Sequence, residues 1–357
     1  MTIPTQSRQW LDIASTTLEN WRPMFYDQIT DAIPLIKVAK SRDSVLLDGG
    51  DNILETLMYA QNNTVGSYSG YDLMDLTPQE TFTKAKYDWK DIAGSVVFSQ
   101  DDIDRNRGAA QQLNLLKARQ KNLKLSYASA LNTMLHSDGT GNSSKDLNGL
   151  QNLVHGRSSG TIGGINRDEE TWWRNVSYAY STPTAGWYGA QQGGTANTVT
   201  ARESIGGTAD NYDTTFIHVI EYVFEDVTFG DTGPNFMITN QEAMSRLKRT
   251  MLDDKRFSMA DTERADPGFR HVNFNGVPVV WDRAMTVGLG TTASTCGVLY
   301  YLNLDFMNFY IHSGNNFRNT EIYPLLPQQN AFAALLFLKA EWTSNKQNAQ
   351  AVLTNLL

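Results

Sequence analysis

Apolar and polar residues alternate with period two between residues 81 and 90. Successive side chains of an extended strand point to opposite faces. One predicted face carries Phe82, Lys84, Lys86, Asp88 and Lys90, and the other carries Thr83, Ala85, Tyr87 and Trp89. Because only one face is apolar, and only moderately, the pattern predicts one strand of a two-stranded ribbon. A second short strand is predicted over 95–98. An isolated hairpin is marginally stable in water, so we expect this ribbon to pack against another surface, such as that of a neighbouring subunit.

The longest helical pattern follows this ribbon, over residues 99–136. Its apolar residues recur at helical spacing: Leu113, Leu116, Leu123, Tyr127, Leu131 and Met134. Ser99 and Asp102 have the spacing of a capping box, and Asp138-Gly139 is a stop signal. Gly108 is expected to kink the helix or to divide it. At 1.5 Å per residue, about forty residues give a rod of roughly 50 Å.

The first forty residues also have a helical pattern. Trp10 and Leu18 fall on one face of a first stretch, and Trp21 begins a second stretch that is predicted to end near Pro34. The two tryptophans need burial, either on their own domain or on a neighbouring copy, and both possibilities stay open.

The second half of the chain changes texture. Residues 139–211 are rich in Gly, Ser, Thr and Asn, and the stretch over 181–213, which has little periodic signal, is predicted to be a long irregular loop region. Regular elements are predicted after them. They are a buried helix over 214–224, a strand over 235–239, a helix capped by Asn240, a hairpin over 271–281 with an Asn275-Gly276 turn, strands over 298–302 and 306–312, an apolar stretch over 333–342, and a polar tail ending in Val352-Leu353. This order predicts a small α/β unit followed by strands.

Composition restricts the possible functions. The chain has 357 residues, enough for two or three domains. Charged residues make up 19%, against roughly 25% in typical globular chains, so the weakly charged surface suits large contacts with other protein copies. The net charge of −8 argues against a dedicated nucleic-acid binder. No long apolar run or secretory signal is present, so we expect no membrane partner.

Candidate chemistry is sparse. Cys296 is the only cysteine, which excludes an internal disulfide and a cysteine zinc site, and indicates a reducing cytoplasm. The histidines show no metal-ligand spacing: His136, His155, His218, His271 and His312. Nucleotide-binding and nucleophile-elbow motifs are missing. We therefore predict no catalytic residue, no cofactor and no metal, although carboxylates distant in sequence could still converge.

Basic residues give the long helix a local positive charge, most of all Lys117, Lys121 and Lys124. Such a run is usually a solvated face, and weak contact with a polyanion is the second interpretation.

The order of these elements resembles the major capsid proteins of tailed bacteriophages with the Hong Kong 97-type fold. Residues 81–90 look like the second strand of that family's extended loop, and residues 99–136 look like its spine helix. Shorter stretches add to the resemblance: 148–150, 163–167, 172–175, 275–280, 301–303 and 343–347. Each stretch alone is weak evidence for the resemblance. The likeness as a whole covers nearly the entire chain.

The resemblance implies an α+β fold with four parts. They are an N-terminal arm (1–40), an extended loop (61–98), a peripheral domain (41–60, 99–138 with the spine helix, and 305–357) and an axial domain (139–304).

The resemblance also implies a structural role without catalysis. Many copies, as hexamers and pentamers, would form an icosahedral shell around double-stranded DNA, assembled in the host bacterial cytoplasm. Forty arm residues are too few for a built-in scaffold, so a separate scaffolding protein is expected, together with a portal. Subunit contacts are expected at Trp10, Trp21, Tyr68, Tyr71, Phe82, Lys84, Lys86, Trp89 and Lys90. Lys117, Lys121 and Lys124 would face the lumen and its DNA by weak, non-specific contact.

Other interpretations remain open at this point. A nanocompartment shell would share the fold but hold a cargo protein. A β-rich hydrolase would need convergent carboxylates or a triad, and a tail or adaptor component would form rings. No spacing identifies a covalent Lys–Asn crosslink between subunits.

Overall fold

The computed structural model describes residues 29, 33–99, 101, 109–156, 159–179, 212–250, 271–285, 297–320, 323–324, 331–354 and 356. Its helices are α1 Pro34–Ser41, α2 Ala109–Leu135, α3 Leu150–Leu153, α4 Tyr212–Asp226 and α5 Gln241–Thr250. Its strands are β1 Val45–Asp48, β2 Asn52–Met58, β3 Phe82–Asp88, β4 Lys90–Ser99, β5 Thr161–Ile162, β6 Ile165–Asn166, β7 Val176–Ala179, β8 Phe236–Thr239, β9 His271–Phe274, β10 Val277–Trp281, β11 Leu299–Leu302, β12 Met307–His312, β13 Arg318–Asn319, β14 Tyr323–Pro324, β15 Ala331–Ser344 and β16 Ala351–Thr354.

The first sheet is organised around β15, a strand of 14 residues. The strand order is β1-β12-β15-β13, and β14 and β4 also pair with β15. β4 runs antiparallel to β15 along its whole length, from Ser99 opposite Ala331 to Lys90 opposite Ala340. Helix α2 packs on β4: the Tyr127 hydroxyl donates to the Ile92 carbonyl at 3.2 Å. Gly94 lies under this helix, since a Cβ there would be 2.8 Å from Leu123.

The second sheet has the order β7-β16-β11-β8-β10-β9. All four residues of β8, β11 and β16 are buried, as expected of central strands covered on both faces. Helices α4 and α5 contribute Val223, Met244 and Leu247 to the core beside this sheet. A larger core cluster joins α1, α2 and the first sheet to the inner face of the second sheet.

Several predicted elements are confirmed. Helix α4, strands β8, β11 and β12, and the β9–β10 hairpin lie where the pattern placed them. Asn240 caps α5 by accepting from the Ala243 amide at 3.2 Å. Asn275 and Gly276 have φ of 48° and 78°, the left-handed values that a tight hairpin turn requires. Helix α2 ends at Leu135, next to the predicted end, whereas Asp102 and Gly108 lie outside the described residues.

The predicted partner of the ribbon strand is wrong. β3 pairs with β2, and residues 95–98 belong to β4 in the first sheet. The reason is burial, because Val96 and Phe98 lie in the core, while β2 has the same half-buried alternation as β3. Ser99, predicted to cap the long helix, ends β4 and still makes the hydrogen bond of an N-cap side chain. Its hydroxyl accepts from the Asp101 amide at 3.2 Å.

Three further segments differ from the sequence prediction. Pro34 begins a helix instead of ending one, since proline suits the first helical position and Leu35, Ile36 and Ala39 are buried behind it. Residues 139–179, for which no element was predicted, hold short ones that include β5, β6 and β7, whereas residues 181–211 of the predicted loop region lie outside the described residues. The polar tail contains β16, which lies between β7 and β11 inside the second sheet. The division of the chain into four parts therefore stays a prediction.

Candidate interaction surface

β2 and β3 form a two-stranded antiparallel ribbon beyond the first sheet. The register runs from Asn52 opposite Asp88 to Met58 opposite Phe82. Seven residues at 3.4 Å each span about 24 Å. One face carries Ile53, Leu57 and Ala85 into the core, and the other is exposed. Residues 59–81 join the two strands without helix or strand.

Two buried polar side chains root the ribbon on the first sheet. Glu55 accepts hydrogen bonds from the Thr343 hydroxyl at 2.8 Å and from the Asn308 amide at 3.2 Å. The Tyr87 hydroxyl donates to the Ser344 carbonyl at 3.0 Å. Burial raises the pKa of Tyr87 above its ordinary value, so the phenol keeps the proton that it donates. These bonds tie the base of the ribbon to β12 and β15.

The connection between the strands exposes apolar side chains. We define the tip surface as Val65, Tyr68, Tyr71, Leu73, Met74 and Leu76. Leu73 is 100% exposed and Leu76 is 89% exposed. Local turns order the backbone beneath them: the Asp75 carboxylate accepts from the Thr77 amide at 2.9 Å and from its hydroxyl at 2.6 Å. Large apolar side chains exposed together in one segment are typical of a surface that another molecule covers.

The residues predicted for subunit contact divide into three groups. Tyr68, Tyr71, Phe82, Lys84 and Lys86 are exposed on the tip or on the outer ribbon face. Trp89 and Lys90 make contacts within the chain. Trp10 and Trp21 lie outside the described residues.

Trp89 and Lys90 contact their own subunit. The Trp89 ring is 5.3 Å from the ring of His312 and packs against the core. The Lys90 ammonium donates to the Ser144 carbonyl at 2.7 Å. Their role in contacts between subunits stays a prediction.

Sequence reasoning missed part of the exposed surface. Leu54 and Met58 are exposed on β2, and Leu73, Met74 and Leu76 are exposed in the connection. The available signal was the presence of three apolar residues among the four at 73–76, inside a segment with no helical or strand periodicity that would bury them.

The basic residues of α2 are only partly described. Lys121 is exposed, Lys124 is half-buried, and the side chain of Lys117 lies outside the described part. Spacings of four and three residues place the three on one helix face. Arg119 is tied to the first sheet, since its guanidinium donates to the Val97 carbonyl at 2.6 Å and lies 5.4 Å from the Phe98 ring centroid.

Buried titratable groups join the elements behind the ribbon. Glu341 on β15 accepts from the Asn148 amide at 3.0 Å, and burial raises its pKa to about 8. At the end of β10, Asp282 is hydrogen-bonded by Asn132 at 2.9 Å and lies 3.6 Å from His136. Burial acts to raise the pKa of Asp282, but His136, Asn132 and the Ala284 amide outweigh it, so the pKa is lowered.

In the described ranges these groups do not assemble into a metal centre. No three His, Cys, Asp or Glu side chains there could hold a metal ion. Within the same ranges, no helix combines the length and apolar character needed to cross a bilayer. Cys296 and the side chain of His218 lie outside what the structure describes.

Comparison with known proteins identifies the fold. No protein-family model matches the sequence, and no curated protein sequence matches it. The capsid structure of cyanophage A-1(L) has a TM-score of 0.54 at 14% identity, over 87% of this chain and 89% of that chain. The capsid of the native GTA particle has a TM-score of 0.51 at 13% identity, over 88% and 89%. A structure from Mycobacterium phage Bobi has a TM-score of 0.50 at 9% identity, also over 88% and 89%.

Identities this low establish shared architecture only. The chain has the α+β, Hong Kong 97-type capsid fold that its sequence predicts.

Proposed function

We propose that this chain is the major capsid protein of a tailed bacteriophage, a structural protein that assembles into an icosahedral shell around double-stranded DNA. The observation that carries the proposal is the shared fold, which extends over nearly nine-tenths of the chain. The exposed tip surface supports it, because a solitary subunit gains nothing from presenting leucine and tyrosine side chains to water.

The ribbon is the proposed arm of contact between neighbouring copies. Its root is buried and hydrogen-bonded, while its tip is apolar and exposed. Covering one such leucine side chain stabilises a contact by about 1.5–3 kcal/mol. Lys84 and Lys86 would add about 0–1 kcal/mol each when they face acidic groups of a neighbour. Repetition over a closed shell makes such contacts collectively strong.

The parts of the chain take their proposed roles from the strand pairing. The proposed extended loop covers residues 52–88 instead of the predicted 61–98, because β3 pairs with β2 and residues 95–98 pair with β15. The first sheet and α2 form the peripheral domain, and the second sheet with α4 and α5 forms the axial domain. The proposed N-terminal arm ends before α1 instead of at residue 40, because Leu35 and Ile36 are buried within the subunit, and Trp10 and Trp21 would contact a neighbouring copy.

The other proposed partners follow from the same role. The copies would associate as hexamers and pentamers in the host bacterial cytoplasm, with a separate scaffolding protein and a portal. The net charge of −8 suits a shell that encloses DNA and binds it only weakly. Lys117, Lys121 and Lys124 are proposed to face the lumen, where weak ionic contacts would retain DNA.

Negative-stain microscopy of the purified full-length chain tests the proposal. Closed, roughly isometric shells, formed alone or with co-expressed phage proteins, are the expected result. A chain that stays monomeric under every condition, or that forms only open rings, contradicts it.

A further inference from the structure

The β5–β6 hairpin lies against the root of the ribbon. The Lys86 amide, which points away from β2, donates to the Gly163 carbonyl at 2.9 Å. A Cβ at Gly163 would lie 2.7 Å from the Ala85 Cβ and 3.2 Å from the Tyr87 ring. Real Cβ atoms do not approach each other this closely. The hairpin and β3 are therefore in contact at a distance that only glycine permits.

The hairpin is itself held rigidly by the body of the subunit. Arg167, just after β6, is 1% exposed, and its guanidinium donates to the Leu153 carbonyl at 3.2 Å and to the Asn175 side chain at 3.4 Å. The Trp173 indole donates to the Ile162 carbonyl at 3.1 Å. Desolvation lowers the pKa of Arg167 to about 10, so the residue stays charged at neutral pH. These hydrogen bonds join the hairpin to the body of the subunit, although the buried Nε of Arg167 has no hydrogen-bond partner among the described residues.

A second contact lies farther along the ribbon. The rings of Tyr59 and Trp172 are 5.5 Å apart, and Tyr59 is the residue that follows β2. Its amide pairs with the Thr81 carbonyl at 3.0 Å, so Tyr59 marks the top of the ladder. The contacts at Lys86 and at Tyr59 lie at different positions along the ribbon. One contact alone would let the ribbon rotate about that point, whereas two contacts fix its direction relative to the subunit.

We propose that the β5–β6 hairpin and Trp172 form a clamp that fixes the direction of the ribbon before the subunit meets another copy. Ordering the ribbon in advance lowers the entropy lost on association. The consequence for shells rests on the proposed function: the angle at which the ribbon leaves the subunit sets how neighbouring copies meet, so the clamp controls shell curvature.

Two asparagine substitutions distinguish the effect of the clamp contact from the effect of the turn conformation. Gly163 and Gly164 have φ of 60° and 77°, and they are the two loop residues of a tight hairpin. Asn-Gly is the favoured pair in such a turn, so Gly163→Asn should suit the turn better than Gly164→Asn. The contacts predict the reverse order, because a Cβ at Gly164 meets nothing within 4 Å. Gly164→Asn is therefore the matched control.

Hydrogen–deuterium exchange of the unassembled full-length chain measures directly whether the clamp protects the backbone amides of β3. In Gly163→Asn we expect the peptide covering 82–88 to exchange about tenfold faster, as loss of a hydrogen bond permits, with wild-type exchange in Gly164→Asn. Equal exchange in both variants, or no change in Gly163→Asn, overturns the proposal. If Gly163→Asn does not fold, Tyr59→Ala decides by the same measurement, and unchanged exchange over 52–59 and 81–88 then overturns it.

Microscopy of the same variants tests the consequence for shells. We expect Gly163→Asn to give particles of altered or mixed size and Gly164→Asn to give wild-type particles. Particles of wild-type size and uniformity from Gly163→Asn would refute control of curvature. Failure of the wild-type chain to form shells would instead refute the proposed function, while the exchange result would still decide whether the clamp exists.

Discussion

The tip surface gives the most quantitative prediction: replacing Leu73 and Leu76 by alanine should weaken assembly without weakening the subunit. Both side chains are almost fully exposed in the single chain, so the folded subunit loses no burial. Substitutions at such positions usually change the free energy of unfolding by no more than about 0.5 kcal/mol. The subunit should therefore unfold at the same denaturant concentration as the wild type.

The expected loss in assembly follows from the area that a neighbour would cover. Leucine to alanine removes apolar groups worth about 2 kcal/mol when they are buried. The double variant would lose about 4 kcal/mol for each subunit, and every 1.4 kcal/mol is a factor of ten. Some of the exposed surface stays exposed in any contact, so we expect the concentration for half-assembly to rise at least about a hundredfold.

Sedimentation velocity over a concentration series measures this shift. Leu125→Ala is the control for a single leucine truncation, since Leu125 is 60% exposed on α2 and lies outside the tip surface. Assembly by the tip variant at the wild-type concentration would refute the role of the tip surface, and so would an equal effect of Leu125→Ala.

Three other predictions test separate parts of the account. Changing Lys117, Lys121 and Lys124 to glutamine should leave shell assembly intact and lower DNA retention, measured as DNA per particle; failure to assemble would contradict a lumenal position. Glu341 has a folded pKa of about 8 against an ordinary 4.5, so its stabilising contribution is full below pH 4.5 and is lost as pH rises through 8. The slope reaches at most about 1.4 kcal/mol per pH unit. Denaturant unfolding at a series of pH values should show Glu341→Gln removing this slope, and an unchanged slope would contradict a protonated Glu341. Tyr87→Phe should lower the free energy of unfolding by about 1 kcal/mol, measured by denaturant unfolding, and an unchanged value would show that the hydroxyl does not anchor the ribbon.

Periodicity predicted the elements whose burial follows from local pattern. Residues 82–88 alternate because one ribbon face is buried, and α4 is apolar because it covers the second sheet. Asn240 and Asn275-Gly276 were predictable because capping and tight turns depend on residues close in sequence.

Strand pairing was less predictable, because it depends on partners distant in sequence. The 95–98 stretch follows β3 closely and invites a local hairpin, yet its partner is β15, more than two hundred residues away. The four residues of β16 have no local pattern that identifies their partner strands. Their position between β7 and β11 depends on the assembled second sheet.

Tyr68, Tyr71 and Phe82, which were expected at subunit contacts, are exposed, and their contact with a neighbouring copy stays a prediction. The contacts of Trp89 with His312 and of Lys90 with Ser144 could not be read from spacing, because they join segments that meet only in the fold. The contact of Gly163 with β3 was equally unpredictable, since a glycine pair predicts a turn but not the strand that packs against that turn.

A cryo-electron microscopy reconstruction of the particles formed by the full-length chain tests the central claim most directly. The account predicts a closed icosahedral shell in which residues 52–88 of each copy extend over a neighbour and the tip surface is covered. Absence of closed particles, or a shell in which Leu73 and Leu76 face solvent, would contradict it.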